Sequence, residues 1–214
     1  MTPKKSKPSR PVESAPASAR PNRRSRRSTD GPVGLIALLR GINVGGHKKV
    51  PMAELRALAT DLGFADVATY IQSGNLVFST DLAPESAESA LEAAIADHFG
   101  FSADVVVRTG AQWRRYASGS PFPDAERERP KLLHLGLPKR AAAPTAAETL
   151  LRYAAPNERI EVEADALWID FASGAARSKL SPAVLNRALG SPVTMRNWRT
   201  VHKLVELLDA LERP

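Results

Sequence analysis

The order of strand-like and helix-like segments is the sequence feature that most restricts the fold of this chain. In the first half, β-rich runs alternate with stretches whose apolar residues recur at helical spacing. This pattern predicts strands and helices in the order strand 33–39, helix 51–62, strand 66–72, strand 75–80, helix 84–99, strand 103–108 and helix 110–117. A turn signal, Ser73-Gly74-Asn75, separates two of the strands and predicts a hairpin. The order is therefore βαββαβ with one additional helix.

The same order is predicted again after a proline-rich, charged connector at residues 121–130. The second series runs strand 131–137, helix 144–153, strand 158–163, strand 166–171, helix 181–189, strand 192–196 and helix 198–211. Ser181 is a suitable N-cap before Pro182, and Gly190 is a suitable helix stop. The chain is therefore expected to form two halves of repeated architecture, residues 31–120 and 131–214.

The predicted fold class is α+β, with two ferredoxin-like (α/β plait, βαββαβ) subdomains whose sheets are mostly antiparallel. The first strand, 33–39, is apolar on both faces, so its sheet is expected to be covered on both sides. That strand has no aromatic residue, and the hairpin strand has only Phe78. An RNA-recognition sheet needs aromatic side chains on its central strands for base stacking, so this pattern argues against one.

The composition assigns the basic charge of the chain to its N-terminal segment. Residues 1–30 hold nine Lys or Arg and two Asp or Glu, a net charge of +7 that equals the +7 of the whole chain. Because the totals are 30 basic and 23 acidic residues, the remainder has 21 of each. The chain has no cysteine, which excludes disulfides and thiolate chemistry. No apolar run approaches the roughly 20 residues of a membrane span, so no membrane association is expected.

The basic segment 1–30 is predicted to be a disordered tail, because it is rich in Pro, Ser, Arg and Lys and has little apolar surface to bury. It has no apolar core of the kind found in secretory signals. Three interpretations stay open: a solvated extension, a non-specific arm for nucleic acid or anionic surfaces, and a targeting segment. Its five prolines weigh against the last, since they would break an amphipathic helix.

A glycine-rich loop at residues 40–49 follows the first strand and precedes a helix. Glycines allow close backbone approach to a ligand, and a helix N-terminus presents free N–H groups to an anion. The spacing of Gly41 and Gly46 resembles a P-loop, but His47 and Lys48 stand where that motif needs Lys and Ser or Thr. Neither Walker-type triphosphate binding nor a Rossmann site is therefore indicated.

The predicted plait would gather polar residues at two corners. Its first and second strands run in the same direction, about 10 Å apart with the third strand between them, so the glycine loop and the hairpin turn should be neighbours. The first corner comprises Arg40, Asn43, His47, Lys49, Gln72, Ser73 and Asn75, and the second comprises Arg177, Ser178, Lys179, Arg196, Asn197 and Thr200. Both corners suit an anion better than water activation. The alternative is a pair of tight turns whose side chains cap backbone groups.

Two residues of the second corner have distinct readings. Asn197 is a suitable N-cap for helix 198–211, and Trp198 is suited to pack on the second sheet. Arg196 places a cation at the positive end of that helix, which is unfavourable without an anion or a carboxylate partner. Arg196 is therefore the stronger indication of a ligand.

The four histidines show no metal-ligand spacing, and neither a metal site nor a cofactor is predicted. His98 and His134 are expected to have hydrogen-bonded interior roles. His47, the one histidine of the glycine loop, is the candidate acid or base if the protein is an enzyme.

Two long motifs carry a resemblance to a known family. Residues 35–80 read LIALLRGINVGGHKKVPMAELRALATDLGFADVATYIQSGNLVFST, and residues 178–204 read SKLSPAVLNRALGSPVTMRNWRTVHKL. In this order they resemble the opening and closing motifs of the DUF 1697 family, a domain of unknown function. The resemblance covers about residue 33 to the end and implies an α/β plait and a bacterial, cytoplasmic setting. It implies no activity.

The leading functional hypothesis is a cytoplasmic protein that binds an anionic small molecule or nucleotide. Its candidate ligand-binding residues are Arg40, Gly41, Asn43, Gly45, Gly46, His47, Lys49, Gln72, Ser73, Asn75, Arg196 and Asn197. One alternative is a nucleic-acid-associated protein that uses the tail, and another is a small hydrolase or transferase that uses His47. The oligomeric state stays open.

Overall fold

A computed structural model describes residues 31–163, 165–172 and 174–213. The predicted tail, residues 1–30, lies outside them. Elements before the connector are β1 (Val33–Leu39), α1 (Met52–Asp61), β2 (Ala65–Tyr70), β3 (Asn75–Thr80), α2 (Pro84–Phe99), β4 (Val105–Thr109) and α3 (Gly110–Ala117). The four strands form one antiparallel sheet in the order β2-β3-β1-β4.

The second series of elements repeats this arrangement. They are α4 (Pro123–Glu128), β5 (Leu133–Pro138), α5 (Ala146–Leu151), β6 (Arg159–Glu163), β7 (Ala166–Asp170), α6 (Pro182–Leu189), β8 (Val193–Asn197) and α7 (Trp198–Leu211). A short 3-10 turn, Ala175–Arg177, lies before α6. The strands form a second antiparallel sheet in the order β6-β7-β5-β8. An α+β fold with two four-stranded antiparallel sheets is thus confirmed.

Each sheet has helices on its outer face and shares its inner face with the other sheet. Leu35, Ala37 and Leu39 of β1 pack in a core with residues of α1 and α2. The alternate residues Ile36 and Leu38 pack in a second core that also contains side chains of β5, β7 and α7. A third core joins α5 and α6 to the outer face of the second sheet. The prediction that the first sheet is covered on both sides is confirmed.

The predicted elements match the observed ones closely. All eight predicted strands and all six predicted helices are present, and each lies within a few residues of its predicted bounds. Ser181 caps α6 by accepting from the Val184 N–H, and Gly190 ends that helix in the left-handed conformation, with φ of 69°. The connector, by contrast, contains a short helix, α4. That helix was not predicted, and it begins at Pro123, where proline is well tolerated.

Candidate functional site: the glycine-loop corner

The glycine loop, residues 40–49, folds back on itself before α1 begins. Gly45 and Gly46 have φ angles of 58° and 80°, as a tight type I′ turn requires of both central residues. The flanking residues Val44 and His47 form a bridge in which the His47 N–H donates to the Val44 carbonyl at 3.1 Å. The two glycines therefore make a turn whose tip projects into solvent, with Val44 67% exposed.

Asn43 fastens the loop to the hairpin turn between β2 and β3, residues 71–74. Its Nδ2 donates to the Gln72 carbonyl at 2.8 Å and to the Val50 carbonyl at 3.0 Å. Its Oδ1 accepts from the Val50 N–H at 2.9 Å. The prediction that the loop and the hairpin turn are neighbours is confirmed, and Asn43 uses its amide to hold them together.

Arg40 has hydrogen-bond partners outside the two loops of this corner. Its Nη1 donates to the Asp104 carboxylate at 3.2 Å, and its Nε donates to the Val193 carbonyl of the second half at 3.0 Å. With Asp104 it lines a cavity of about 240 Å³ between the loop and the start of β4. The carboxylate was missed from the sequence because it lies 64 residues further along the chain.

Arg196 is the buried cation of this region, and its partners are neutral oxygens. The acceptors of its guanidinium are the side chains of Asn75 and Thr194 and the carbonyls of Leu39, Ser73, Gly74 and Met195. Burial lowers the pKa of Arg196 to about 10, so it stays charged at neutral pH. The sequence argument considered this cation unfavourable without an anion or a carboxylate partner, and no carboxylate of the described residues is bonded to it. Backbone carbonyls of the hairpin turn and of the end of β1 satisfy the charge instead.

The remaining hairpin and cap residues are also engaged within the protein. Asn75 is fully buried and donates to the Tyr70 carbonyl and to the Ser73 hydroxyl, both at 2.9 Å. Asn197 caps α7, because its Oδ1 accepts from the Thr200 N–H at 3.0 Å. The capping interpretation of Asn197 is confirmed. Trp198 packs against Trp168 of the second sheet, as expected.

Lys49 and Gln72 are two side chains of the corner that have no partner within the described part of the chain. Among the residues that the structure describes, neither the Lys49 ammonium nor the Gln72 amide has a hydrogen-bond or ion-pair partner. Both line a cavity of about 380 Å³, whose other lining residues are Asn43, Gly46, Val50 and Pro51. The cavity lies at the start of α1, whose N-terminus has no side-chain cap. The first-turn N–H groups of a helix have no partner within the helix, so they add positive potential here.

The side-chain charge of the two loops at this corner is of one sign. The loop and the hairpin turn together contain Arg40, His47, Lys48 and Lys49 and no Asp or Glu. Arg40 is paired with Asp104, and Lys48 donates to the Ser102 carbonyl at 2.7 Å and lies 5.7 Å from the Phe101 ring. Lys49 is therefore the uncommitted lysine of the corner. The arrangement suits an anion held by one ammonium, one amide and the start of a helix.

The histidines have different environments, and one expectation about them was wrong. His134 is half-buried, and its Nδ1 lies 3.0 Å from the Leu132 carbonyl. Burial lowers the pKa of His134 despite that hydrogen bond. His98 is exposed and pairs with Glu54 at 3.2 Å, so it has no interior role. His47 is exposed and has no partner among the described residues that would orient it as an acid or base. Within those residues, no group of three or more potential metal ligands was found.

The fold and the comparisons define the class of this protein. It is an α+β protein of two four-stranded antiparallel sheets with seven α-helices among its described residues. Residues 34–168 match the model of the family described as "Protein of unknown function (DUF1697)", and the chain belongs to that family. No curated protein matches it. None of the helices in the described part of the chain combines the length and apolarity that crossing a bilayer demands.

A solved structure supports the same fold. The chain is similar to the conserved bacterial protein SP0830 from Streptococcus pneumoniae, with 23% sequence identity and a TM-score of 0.66. The match covers 83% of this chain and 99% of the streptococcal one. At this level of identity the likeness concerns the fold alone.

Proposed function

We propose that this protein binds an anionic small molecule, such as a nucleotide or a sugar phosphate, in the cavity beside Lys49. The observation that carries the proposal is the unpaired Lys49 ammonium at the uncapped N-terminus of α1. A fixed dipole and a mobile cation then act on the same anion. Neither the loop nor the hairpin turn supplies a carboxylate that would compete with it.

The size and composition of the cavity support a small organic anion. Its volume of about 380 Å³ lies within the range of roughly 300–1,000 Å³ usual for small-molecule pockets. The Gln72 amide can donate and accept hydrogen bonds beside the charge. Gly46 leaves the backbone of the loop accessible at the cavity wall.

The proposed binding set is narrower than the one expected from the sequence. Lys49 and Gln72 would contact the anion directly, His47 and the glycine turn would border it, and Asn43 would hold the two loops in place. Arg40, Ser73, Asn75, Arg196 and Asn197 have partners within the protein, so their contribution would be to position the corner.

The test compares two lysine variants of the full chain by isothermal titration with AMP, glucose 6-phosphate and inorganic phosphate. Lys49→Met removes the proposed cation, and Lys131→Met removes an exposed lysine of the second half. We expect Lys49→Met to weaken binding at least tenfold and Lys131→Met to leave it unchanged. Because both variants keep the basic tail, any attraction by residues 1–30 is the same in each. Equal affinities for the two variants would refute the site.

A role in association with nucleic acid is favoured by one observation, the location of the whole net charge of +7 in residues 1–30. Attraction of this kind is non-specific and falls steeply with salt, because it depends on counterion release. Fluorescence anisotropy with a short duplex at 50 and 200 mM salt would test it. Affinity that is independent of salt would contradict a tail-driven interaction.

We infer further that each half has the ferredoxin-like plait arrangement, with the boundary at the connector 121–130. The support is that both sheets have the strand order 4-1-3-2 within their own half, in βαββαβ connectivity. A cytoplasmic location stays a prediction, and cell fractionation would test it.

A further inference from the structure

The tips of the glycine loop and of the hairpin turn carry apolar side chains in solvent. Val44 is 67% exposed and Ile71 is 53% exposed, and they are two of the four most exposed large apolar residues of the described chain. The two tips are joined by the hydrogen bond from Asn43 Nδ2 to the Gln72 carbonyl. They therefore form one projecting surface beside the anion cavity, which we call the tip surface: Val44, His47, Lys49 and Ile71.

Two properties of position 71, its backbone conformation and its exposure to solvent, make isoleucine unfavourable there. Its φ angle is 48°, the left-handed region, where a β-branched residue is a genuine outlier and glycine or asparagine is preferred. Its side chain also lies largely in water, where it gives the fold little burial in return. Neither local backbone preference nor core packing accounts for an isoleucine there, whereas contact with a partner would.

The chemistry of the surroundings selects the kind of partner. The two loops contain no Asp or Glu, and Lys49 and His47 flank the apolar tips. A second copy of the chain would bring the same cations together, and the basic tail of residues 1–30 would be repelled as well. No aromatic side chain lies in either loop for stacking on a base, and the nearby Phe101 ring has the Lys48 ammonium over it. An acidic peptide with aliphatic side chains complements both features.

We propose that the tip surface is a docking site for an acidic, aliphatic peptide segment of a protein partner. Val44 and Ile71 would contact its aliphatic side chains, and Lys49 and His47 would face its carboxylates. A projecting surface suits a macromolecular partner, while the adjacent cavity suits a small anion. The docking site goes beyond the proposed small-molecule function. The two sites share Lys49, but Val44 and Ile71 do not line the cavity, so substitutions of those two residues test the docking site separately.

The test selects binders to the full-length protein from a phage-displayed library of random 12-residue peptides. We expect the selected peptides to combine Asp or Glu with Leu, Ile or Val. The peptides should bind Val44→Ser and Ile71→Asn variants at least tenfold more weakly, by fluorescence anisotropy of synthetic copies. They should bind Leu151→Ser normally, because Leu151 is equally exposed but belongs to the second half.

Ile71→Asn gives a readout that a structural role would not produce. Since asparagine tolerates the left-handed conformation, the melting temperature of the Ile71→Asn variant should equal or exceed that of the wild type while its affinity for the peptides falls.

Two results would overturn the proposal: selection of basic peptides, or Val44→Ser and Ile71→Asn variants that bind the peptides as tightly as the wild type does. If light scattering shows a dimer that both variants abolish, the surface serves self-association. If the wild type binds short RNA and both variants lose that binding, the surface serves nucleic acid. The Lys49→Met titration with AMP tests the cavity independently, because the Val44 and Ile71 variants leave its lining intact.

Discussion

The loops that follow the first strand of each half occupy the same place in the topology but serve different purposes. In the first half, residues 44–49 project into solvent around the Gly45-Gly46 turn. In the second half, the corresponding loop, residues 139–145, is hydrogen-bonded to residues 191 and 192. There, the Lys139 and Arg140 N–H groups donate to the Pro192 carbonyl and the Ser191 hydroxyl, both at 2.9 Å. One loop thus projects into solvent, and the other is hydrogen-bonded to the turn before β8.

The lysines of the two loops show what this difference means for function. Lys139 pairs with Glu92 and, at 3.3 Å, with Glu88, both on α2 of the first half. Lys49 has no partner among the described residues. The ion pairs of Lys139 cross the junction, by which we mean the contacts between residues 31–120 and residues 131–214. Three arginines also donate across the junction: Arg108 to the Pro138 carbonyl, Arg40 to the Val193 carbonyl and Arg196 to the Asn75 amide oxygen. A basic residue in this fold is therefore evidence for a ligand only when the opposite half leaves it unpaired.

The largest effect is expected from Arg196→Met, which removes the central donor of the junction. The variant would leave the buried Asn75 amide oxygen and the Ser73 carbonyl without the donor that Arg196 supplies. We expect a loss of about 3–5 kcal/mol in the free energy of unfolding, measured by urea denaturation. Arg199→Met, which changes an exposed arginine three residues further along, in the first turn of α7, is the control and should stay within about 0.5 kcal/mol. Similar losses in both variants would contradict the structural role of Arg196.

A smaller loss is expected from Asp170→Asn, which breaks the corresponding polar cluster of the second half. Asp170 is fully buried and accepts from Arg129 and Arg159 at 2.7 and 2.8 Å. Burial alone would raise the pKa of Asp170, but these two hydrogen bonds lower it. Hydrogen bonds from Arg129 and Arg159 also lower the pKa of Asp124 to about 2. We expect a loss of about 2–3 kcal/mol at pH 7, again by urea denaturation.

The stability losses caused by Asp170→Asn and by Arg196→Met should depend differently on pH. A carboxylate whose folded pKa is lowered stabilises the protein above its unfolded pKa of about 3.9, and this stabilisation is lost as pH falls toward the folded pKa. The loss caused by Asp170→Asn should therefore shrink between about pH 5 and pH 2. Arg196 has no carboxylate partner, so the loss caused by Arg196→Met should change little over that range. The same pH profile for both variants would show that the clusters do not differ in this way.

Lys139→Met should have a moderate effect on stability. It leaves Glu88 largely buried beside Glu92 with no cation, and burial already raises the pKa of Glu88. Because the backbone N–H of Val107 still donates to Glu88, we expect a loss of about 1–2 kcal/mol, seen as a lower melting temperature. A melting temperature equal to that of the wild type would show that the second-half loop does not hold the junction.

Lys49→Met should have the smallest effect on stability. Since this ammonium has no partner among the described residues, the free energy of unfolding should change by less than about 0.5 kcal/mol. Urea denaturation of Lys49→Met and Lys139→Met side by side tests whether the glycine loop contributes less to stability than the corresponding loop of the second half. A loss as large as that of Lys139→Met would mean that Lys49 stabilises the fold.

Much of the architecture could be predicted from local patterns. The β1 pattern predicted a sheet that is buried on both faces, and the hairpin signal around Gly74 predicted the turn beside the glycine loop. These predictions were confirmed because strand alternation, helix periodicity and turn residues act over a few neighbouring positions. The short helix α4 was missed because its charged sequence, PDAERE, has too few turns to show a periodicity.

The candidate site was harder to predict, since its pairings are distant in the chain. The partners of Arg40 lie 64 and 153 residues away, and Arg196 reaches the Asn75 amide across 121 residues. Several of these acceptors are backbone carbonyls. Because every residue carries a carbonyl, nothing in the sequence marks the one that will accept.

The sequence by itself determined the order of elements, the tight glycine turn, the helix caps and the concentration of charge in residues 1–30. These properties depend on local backbone preferences and on composition. Only the tertiary structure decided which cations are committed to the junction and which one, Lys49, stays open beside the start of α1. That choice depends on the oxygens that the opposite half presents, and packing of the two sheets around a shared core sets their positions.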